Sequence, residues 1–177
     1  MTPARTLVLM LALTLAWMAF APKVLAAEPA VIAGGGPLDP LPLPAPTEMD
    51  LTAPSGLTAA DLQLKYDLRG LEAAFVAAEA EHGVRADFLA AVAALESGWG
   101  RYQFRQNNIM GFGQLAFASP EECIDHVAAY LAEHYLTPDG MYYNGPTVVG
   151  VCVRYNGRAA WAAAVAALME EIRPCAG

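Results

Sequence analysis

The sequence predicts a mainly α-helical domain, and three observations support that fold class. Apolar residues recur at steps of three and four over several segments between residues 70 and 172. Glycines or a Ser-Pro pair stand where these periodic segments stop or start, as helix ends favour. No segment alternates cleanly between apolar and polar residues, so we expect at most a tiny hairpin around residues 111–117.

The first 26 residues are typical of a secretory signal peptide. Arg5 precedes an uncharged apolar run, and Ala26 is a small residue suited to cleavage. The run is short for a transmembrane helix, although Pro22 and Lys23 before the cleavage site leave an uncleaved anchor as the alternative. We therefore expect an exported protein, either periplasmic or secreted.

Residues 27–56 are dense in Pro, Gly and Ala, which predicts an extended linker before a domain at residues 57–177. Thr58 and Asp61 have the spacing of a capping box and predict a helix start at the domain boundary. Gly83 and Gly98 are predicted to stop the first two strongly periodic helices. These helices and their successors are predicted over residues 70–82, 87–97, 120–131, 147–155 and 159–172.

The charge of the chain restricts its partners. Loss of Arg5 and Lys23 with the leader would take the formal net charge from −8 to −10. Such an acidic surface repels nucleic acid and anionic membranes. Glycans remain suitable partners, because sugar binding depends on hydrogen bonds and aromatic faces rather than on net charge.

Glu96 is the residue that most suggests catalysis. It follows Leu89 and Val92 by seven and four residues, which places it on an apolar helix face. Burial and the negative end of the helix dipole both disfavour the charged carboxylate, so we expect a raised pKa for Glu96. A carboxylic acid that stays protonated near neutral pH suits a general acid. From this residue alone, a solvated surface glutamate is the alternative.

Aromatic and amide side chains around Glu96 suit a carbohydrate cleft. Asn107 and Asn108 offer donors and acceptors for hydroxyl and N-acetyl groups, while Tyr142 and Tyr143 lie in a polar, aromatic loop. Trp99, between two glycines, offers a flat face to a sugar ring. Ordinary turns and packing in the core are the alternative explanations for all of these side chains.

The cysteines allow one disulfide. Cys152 and Cys175 are the pair that would fasten the C-terminal tail, while Cys123 would remain free. Three reduced, mostly buried thiols are the alternative. No Cys-x-x-Cys or His-x-x-x-His spacing occurs, so we expect no structural zinc site. We also expect no organic cofactor.

Five sequence blocks occur in one order: AALESGWG, NNIMGFG, FASPEECIDHVAAYL, YYNGPT and VRYNGRAAWAAAVAALM. Together they resemble the glucosaminidase domain of bacterial cell-wall hydrolases (the mannosyl-glycoprotein endo-β-N-acetylglucosaminidase-like group), over residues 57–172. The resemblance implies a lysozyme-like helical fold and cleavage of glycan chains at N-acetylglucosamine. It also implies that Glu96 is the general acid, that Asn107 and Asn108 line the cleft, and that Tyr155 lies near the active site.

Two departures from the family pattern affect the chemistry. Only residues 114–116 separate GFG from Phe117, so the β-lobe that brings a second acid in many members is much reduced. Residues 156–158, Asn-Gly-Arg, stand where many relatives carry an Asp. Glycoside hydrolysis usually uses two carboxylates. The nearest later acids are Glu121, Glu122 and Asp125, which the start of a helix explains equally well.

The sequence therefore predicts an exported endo-β-N-acetylglucosaminidase that acts on peptidoglycan without a metal. In place of a second acid, the N-acetyl oxygen of the substrate can attack the anomeric carbon, or a more distant acid can activate water. Two alternatives remain open. One is a lytic transglycosylase, since the YNG segment resembles the Tyr-Asn of those enzymes; the other is a wall-glycan-binding module without catalysis.

Overall fold

The computed structural model describes residues 46–174 of the 177-residue chain. These residues belong to one compact unit. The predicted signal peptide, residues 27–45 of the predicted linker, and Cys175 lie outside the described residues.

The described domain is built from five α-helices, and residues 46–174 contain no strand. This confirms the predicted mainly α-helical, lysozyme-like fold with a much reduced β-lobe. A π-helical turn at Ala132–Leu136 extends the third helix. Within the described range, no helix combines the length and the apolar character that a membrane crossing demands. The helices are α1 (Glu72–His82), α2 (Ala86–Ser97), α3 (Pro120–Leu131), α4 (Val148–Tyr155) and α5 (Ala159–Ile172).

The helix ends follow the predicted signals. Gly83 and Gly98 end α1 and α2 in the left-handed conformation, with φ of 70° and 57°. Ser119 and Thr147 cap α3 and α4, because each side-chain oxygen accepts a hydrogen bond from the backbone N–H three residues later. These caps fix where each connecting loop leaves the helical core.

Helix α2 is the centre of the domain. All of residues 86–94 are buried, and α2 packs most extensively against α5, while α1 packs against α3. Five alanines in this run keep the helix narrow, so neighbouring helices can approach it on several sides. The C-terminal end of α2, which carries Glu96, is therefore held by packing on its neighbours.

The expected hairpin at residues 111–117 does not form. The side chain of Asn108 takes the backbone groups there, accepting from the N–H of Phe112 and donating to the carbonyls of Phe112 and Leu115. Backbone groups bonded to an amide side chain cannot form a strand ladder. The segment is consequently a loop folded around Asn108.

The expected helix start at Thr58 is also wrong. Asp61 accepts hydrogen bonds from the backbone N–H and the hydroxyl of Thr58, but the result is a single turn. The chain then runs extended, with Leu62 and Leu64 buried and Gln63 exposed between them. The alternating burial of the leucines outweighs the local capping preference.

The packed part of the chain begins before the predicted boundary at residue 57. Leu51 is fully buried, and its carbonyl accepts from the N–H of Arg85. Ser55 donates through its N–H and its hydroxyl to the carboxylate of Glu79. Residues 46–56 therefore lie against the helical domain, because Leu51 supplies an apolar side chain that the core accommodates.

Candidate active site

Glu96 lies in the last turn of α2, where the chain reverses. The N–H groups of Gly98 and Trp99 both bond to the carbonyl of Ala94, and Trp99 itself adopts a positive φ of 64°. Left-handed conformation in two successive residues turns the backbone sharply away from the helix axis. The turn leaves Glu96 at the edge of the core rather than inside it.

The carboxyl group of Glu96 is half-buried and has one hydrogen-bond donor. The indole Nε1–H of Trp161, on α5, donates to Oε1 of Glu96 over 2.9 Å. Burial raises the pKa of Glu96 above its ordinary value, and the bond from Trp161 acts in the opposite direction with a smaller effect. In this Glu96 differs from Asp50, Asp61 and Glu121, whose pKa values are lowered by hydrogen bonds.

Gly111 lies against the other oxygen of the same carboxyl group. A Cβ placed on Gly111 would stand 3.1 Å from Oε2 of Glu96 and 3.3 Å from its Cβ. Gly111 has a φ of 65° and is exposed to solvent. The Oε2 side of Glu96 thus faces a backbone that carries no side chain, at the surface of the domain.

Tyr155 lies close enough to this carboxyl group to feel its charge, and its part in catalysis stays a prediction. Its ring is 5.1 Å from that of Trp161, and its hydroxyl donates to the carbonyl of Met110 over 3.4 Å. Burial raises the pKa of Tyr155 well above its ordinary value, and the negative charge of Glu96 adds to the effect. Tyr155 is therefore a neutral hydrogen-bonding group next to the acid.

An aromatic row continues from Tyr155 along the surface. The ring of Tyr135 lies 5.8 Å from Tyr155 and 5.0 Å from Tyr142, and Tyr130 connects the row to Phe112 at 4.9 Å. Tyr135 and Trp161 are buried, whereas the other four rings are half-buried and keep part of their surface in contact with solvent. The row consists of Phe112, Tyr130, Tyr135, Tyr142, Tyr155 and Trp161.

The two predicted cleft amides hold the loop instead of projecting from it. Asn107 donates to the carbonyls of Phe117 and Ala118, each over 2.9 Å. Asn108 is buried, and both ends of its amide bond to backbone groups of the loop. The described contacts of both amides are thus structural, and their part in substrate binding stays a prediction.

Trp99 and Tyr143, which the sequence also predicts to bind sugar, are not members of the aromatic row. The ring of Trp99 is half-buried, and the ammonium group of Lys65 lies 5.4 Å from its centre. Tyr143 is held through its backbone N–H, which donates to Gly140 over 3.0 Å. Substrate binding by either side chain stays a prediction.

The acids that the sequence offers as a second catalytic group have other contacts. Glu122 accepts from the N–H of Ala118 at the start of α3, and Asp125 lies 2.7 Å from Nε2 of His82. Hydrogen bonds from its own N–H and from the Ser119 hydroxyl lower the pKa of Glu121. None of these described contacts reaches Glu96.

Two other groups of side chains bear on metal binding and on disulfides. Glu81, His82 and Asp125 have ligand atoms within 4.8 Å of one another and form a largely exposed cluster. That cluster contains none of the residues that contact Glu96. The thiol of Cys152 donates to the carbonyl of Arg158 over 3.1 Å, and its predicted pairing with Cys175 stays a prediction.

Sequence reasoning did not single out Trp161, Gly111 or Phe112. Trp161 has the spacing of an ordinary core residue of α5, so only the fold reveals its bond to Glu96. Gly111 does carry a signal, since a glycine directly after a buried apolar pair indicates a close approach of the backbone. Only the structure shows that Glu96 is the residue that approaches Gly111.

Comparisons with known proteins identify the family of the chain. No curated protein sequence matches the chain. The family model described as glucosaminidase, mannosyl-glycoprotein endo-beta-N-acetylglucosaminidase, matches residues 72–174, which include all five α-helices, Glu96 and the aromatic row. The chain belongs to this glucosaminidase family of glycosidases.

Proposed function

We propose that this protein is an exported endo-β-N-acetylglucosaminidase that cleaves the glycan strands of peptidoglycan, with Glu96 as the general acid. The observation that carries the proposal is the carboxyl group of Glu96. It is half-buried, its pKa is raised by burial, and it lies at the edge of the core beside an exposed glycine. A proton donor needs these properties, because it must stay protonated and still reach solvent.

The aromatic row supplies a surface for the sugar chain. Tyr142 and Phe112 are half-buried, so each keeps some exposure to solvent within a row of rings that reaches the acid through Trp161. Aromatic faces pack on the apolar faces of sugar rings, while tyrosine hydroxyls bond to their hydroxyl groups. Tyr155 stays neutral because its pKa is raised by burial, so it can bond to the sugar without adding charge.

The first test compares Glu96→Gln with the native protein in gels containing embedded cell walls. Glutamine keeps an oxygen that accepts from Trp161 but cannot supply the proton. We expect a loss of clearing of about a hundredfold or more, since general acid catalysis contributes about 10²–10⁴ in rate. The matched control is Glu170→Gln, an exposed residue of α5, which should clear like the native chain. Equal clearing by Glu96→Gln and the native protein would reject Glu96 as the acid.

A lytic transglycosylase is the second candidate within the enzymes. It is favoured by the contacts of Glu121, Glu122 and Asp125, none of which brings a second carboxylate to Glu96. Closure of an anhydro ring by the substrate's own hydroxyl needs no second acid to activate water. Mass analysis of the released fragments separates the two: hydrolysis leaves reducing N-acetylglucosamine ends, and transglycosylation leaves anhydromuramic ends.

A binding module without catalysis is the candidate from another class. Its expected result is retention on insoluble cell walls with no clearing by the native chain. Clearing by the native chain that Glu96→Gln abolishes excludes this alternative.

A further inference from the structure

We infer that the proton leaves from Oε2 of Glu96, and that Trp161 and Gly111 are the positioning residues that decide this. The leaving oxygen of the substrate then approaches across Gly111. This inference rests on the proposed function, because it describes how the same acid would act. It assigns different tasks to the two oxygens of one carboxyl group.

Trp161 determines which oxygen can carry the proton. An indole N–H is a donor and never an acceptor. It donates to Oε1 over 2.9 Å, and the unprotonated oxygen of a neutral carboxyl group is the better acceptor, so this bond favours Oε1 as the oxygen without the hydrogen. Trp161 is 7 % exposed, so bulk water has little access to its side of the carboxyl group. The neutral acid therefore carries its hydrogen on Oε2.

Gly111 keeps the Oε2 side open. A side chain on Gly111 would begin 3.1 Å from Oε2. Since hydrogen-bonded oxygens lie about 2.5–3.0 Å apart, that Cβ would compete with an oxygen that approaches Oε2 from this side. Gly111 has no side-chain carbon, so Oε2 of Glu96 faces its backbone. That backbone has a φ of 65°, and the residue is exposed. Glycine at position 111 therefore leaves the approach to Oε2 open, because its side chain is a hydrogen atom.

During proton transfer, the hydrogen leaves Oε2 beside Gly111, while Oε1 keeps its hydrogen bond from Trp161. The hydrogen moves from Oε2 to the glycosidic oxygen, the bond between that oxygen and the anomeric carbon breaks, and its electron pair stays on the departing oxygen. The anomeric carbon, left with positive charge, forms a new bond to water or to an oxygen of the substrate itself. Glu96 becomes a carboxylate. The bond from Trp161 is then charge-assisted and stronger than before, so it stabilises the ionised acid as it forms.

The first experiment replaces Trp161 with β-(3-benzothienyl)alanine, which has nearly the shape of tryptophan but carries sulfur in place of the N–H. We expect the Glu96 carboxyl, followed by carbon NMR, to titrate at higher pH than in the native chain. We also expect kcat on soluble peptidoglycan fragments to fall roughly tenfold or more, because a hydrogen bond to a charged group is lost. An unchanged titration and an unchanged kcat would overturn the role of Trp161.

The second experiment compares Gly111→Ala with Gly113→Ala. Both glycines lie in one loop and have positive φ, 65° and 57°, so both alanines carry similar backbone strain. Gly113 has no atom within 4 Å of an added Cβ, whereas Gly111 faces Glu96. We expect similar unfolding midpoints, near-native kcat/KM for Gly113→Ala, and at least a hundredfold loss for Gly111→Ala.

Equal activity of the two alanine variants would reject approach across Gly111. That outcome leaves the general acid itself intact if Glu96→Gln is inactive. Conversely, an active Glu96→Gln would remove the proposed function, whatever the alanine variants do. The two proposals can therefore fail separately.

Discussion

At the scale of single residues, Glu96 makes the stability of the protein depend on pH in an unusual direction. Burial raises the pKa of Glu96 in the folded state, so the folded chain holds this proton to higher pH than the unfolded chain. Where the unfolded state binds fewer protons, stability falls as pH rises. The contribution is fully present below the ordinary carboxyl pKa and is lost as pH rises through the raised one.

Glu96→Gln should therefore be more stable than the native protein at neutral pH. The amide keeps an acceptor for Trp161 and removes the cost of a half-buried charge. Thermal unfolding monitored by circular dichroism should show a Tm a few degrees higher for the variant at pH 7, with the difference vanishing near pH 4. A variant less stable than the native chain at pH 7 would contradict the assigned burial of this group.

At the scale of elements, the amide of Asn108 makes most of the side-chain hydrogen bonds to residues 111–115 of the loop between α2 and α3. The side chain of Asn108 makes three hydrogen bonds, of 2.8, 2.9 and 3.1 Å, to backbone groups of Phe112 and Leu115. Asn108 is 3 % exposed, so water cannot replace these bonds without opening the loop. This loop also carries Gly111, and the site depends on its shape.

Asn108→Ala should destabilise the domain by about 3 kcal/mol, because it removes three hydrogen bonds worth about 1 kcal/mol each. Urea unfolding measures the change. Gln114→Ala, at an exposed residue of the same loop whose side chain accepts from Arg105, is the control and should cost less than about 0.5 kcal/mol. Similar losses for both variants would show that Asn108 does not hold the loop.

The elements also show what sequence patterns can and cannot predict. Helix ends at Gly83, Gly98 and Ser119 were predictable, because capping depends on neighbouring residues alone. The bond from Trp161 to Glu96 joins residues 65 positions apart and needs α5 to lie on α2. Asn108 was predictable only in part. Its polar amide suggested a role in binding sugar, but the structure buries the side chain, and its amide bonds to the backbone.

At the scale of the whole molecule, a buried ionic cluster joins distant parts of the chain. Asp87, at the start of α2, is fully buried and accepts from Arg85 over 2.9 Å and from Arg173 over 2.7 Å. Arg85 also donates to the carbonyls of Ala53 and Pro54. Segments before α1 and after α5 are thus bonded to the same helix.

Asp87→Ala should cost about 3–5 kcal/mol, because it leaves the guanidinium groups of Arg85 and Arg173 without their buried partner. The control is Glu171→Ala, which breaks an exposed pair with Lys65 and should cost less than about 1 kcal/mol. Chemical unfolding of the two variants measures both costs. Equal costs would mean that the buried cluster contributes no more than a surface pair.

The cluster brings the two ends of the described chain together, since Arg173 also lies 2.8 Å from the sulfur of Met49. A short peptide could therefore join these ends and let the chain be reopened elsewhere, as circular permutation requires. The exposed tip at Gly113 is a natural place for the new ends. Such a rearranged chain would keep α2 and α5 intact while freeing the active-site loop on one side.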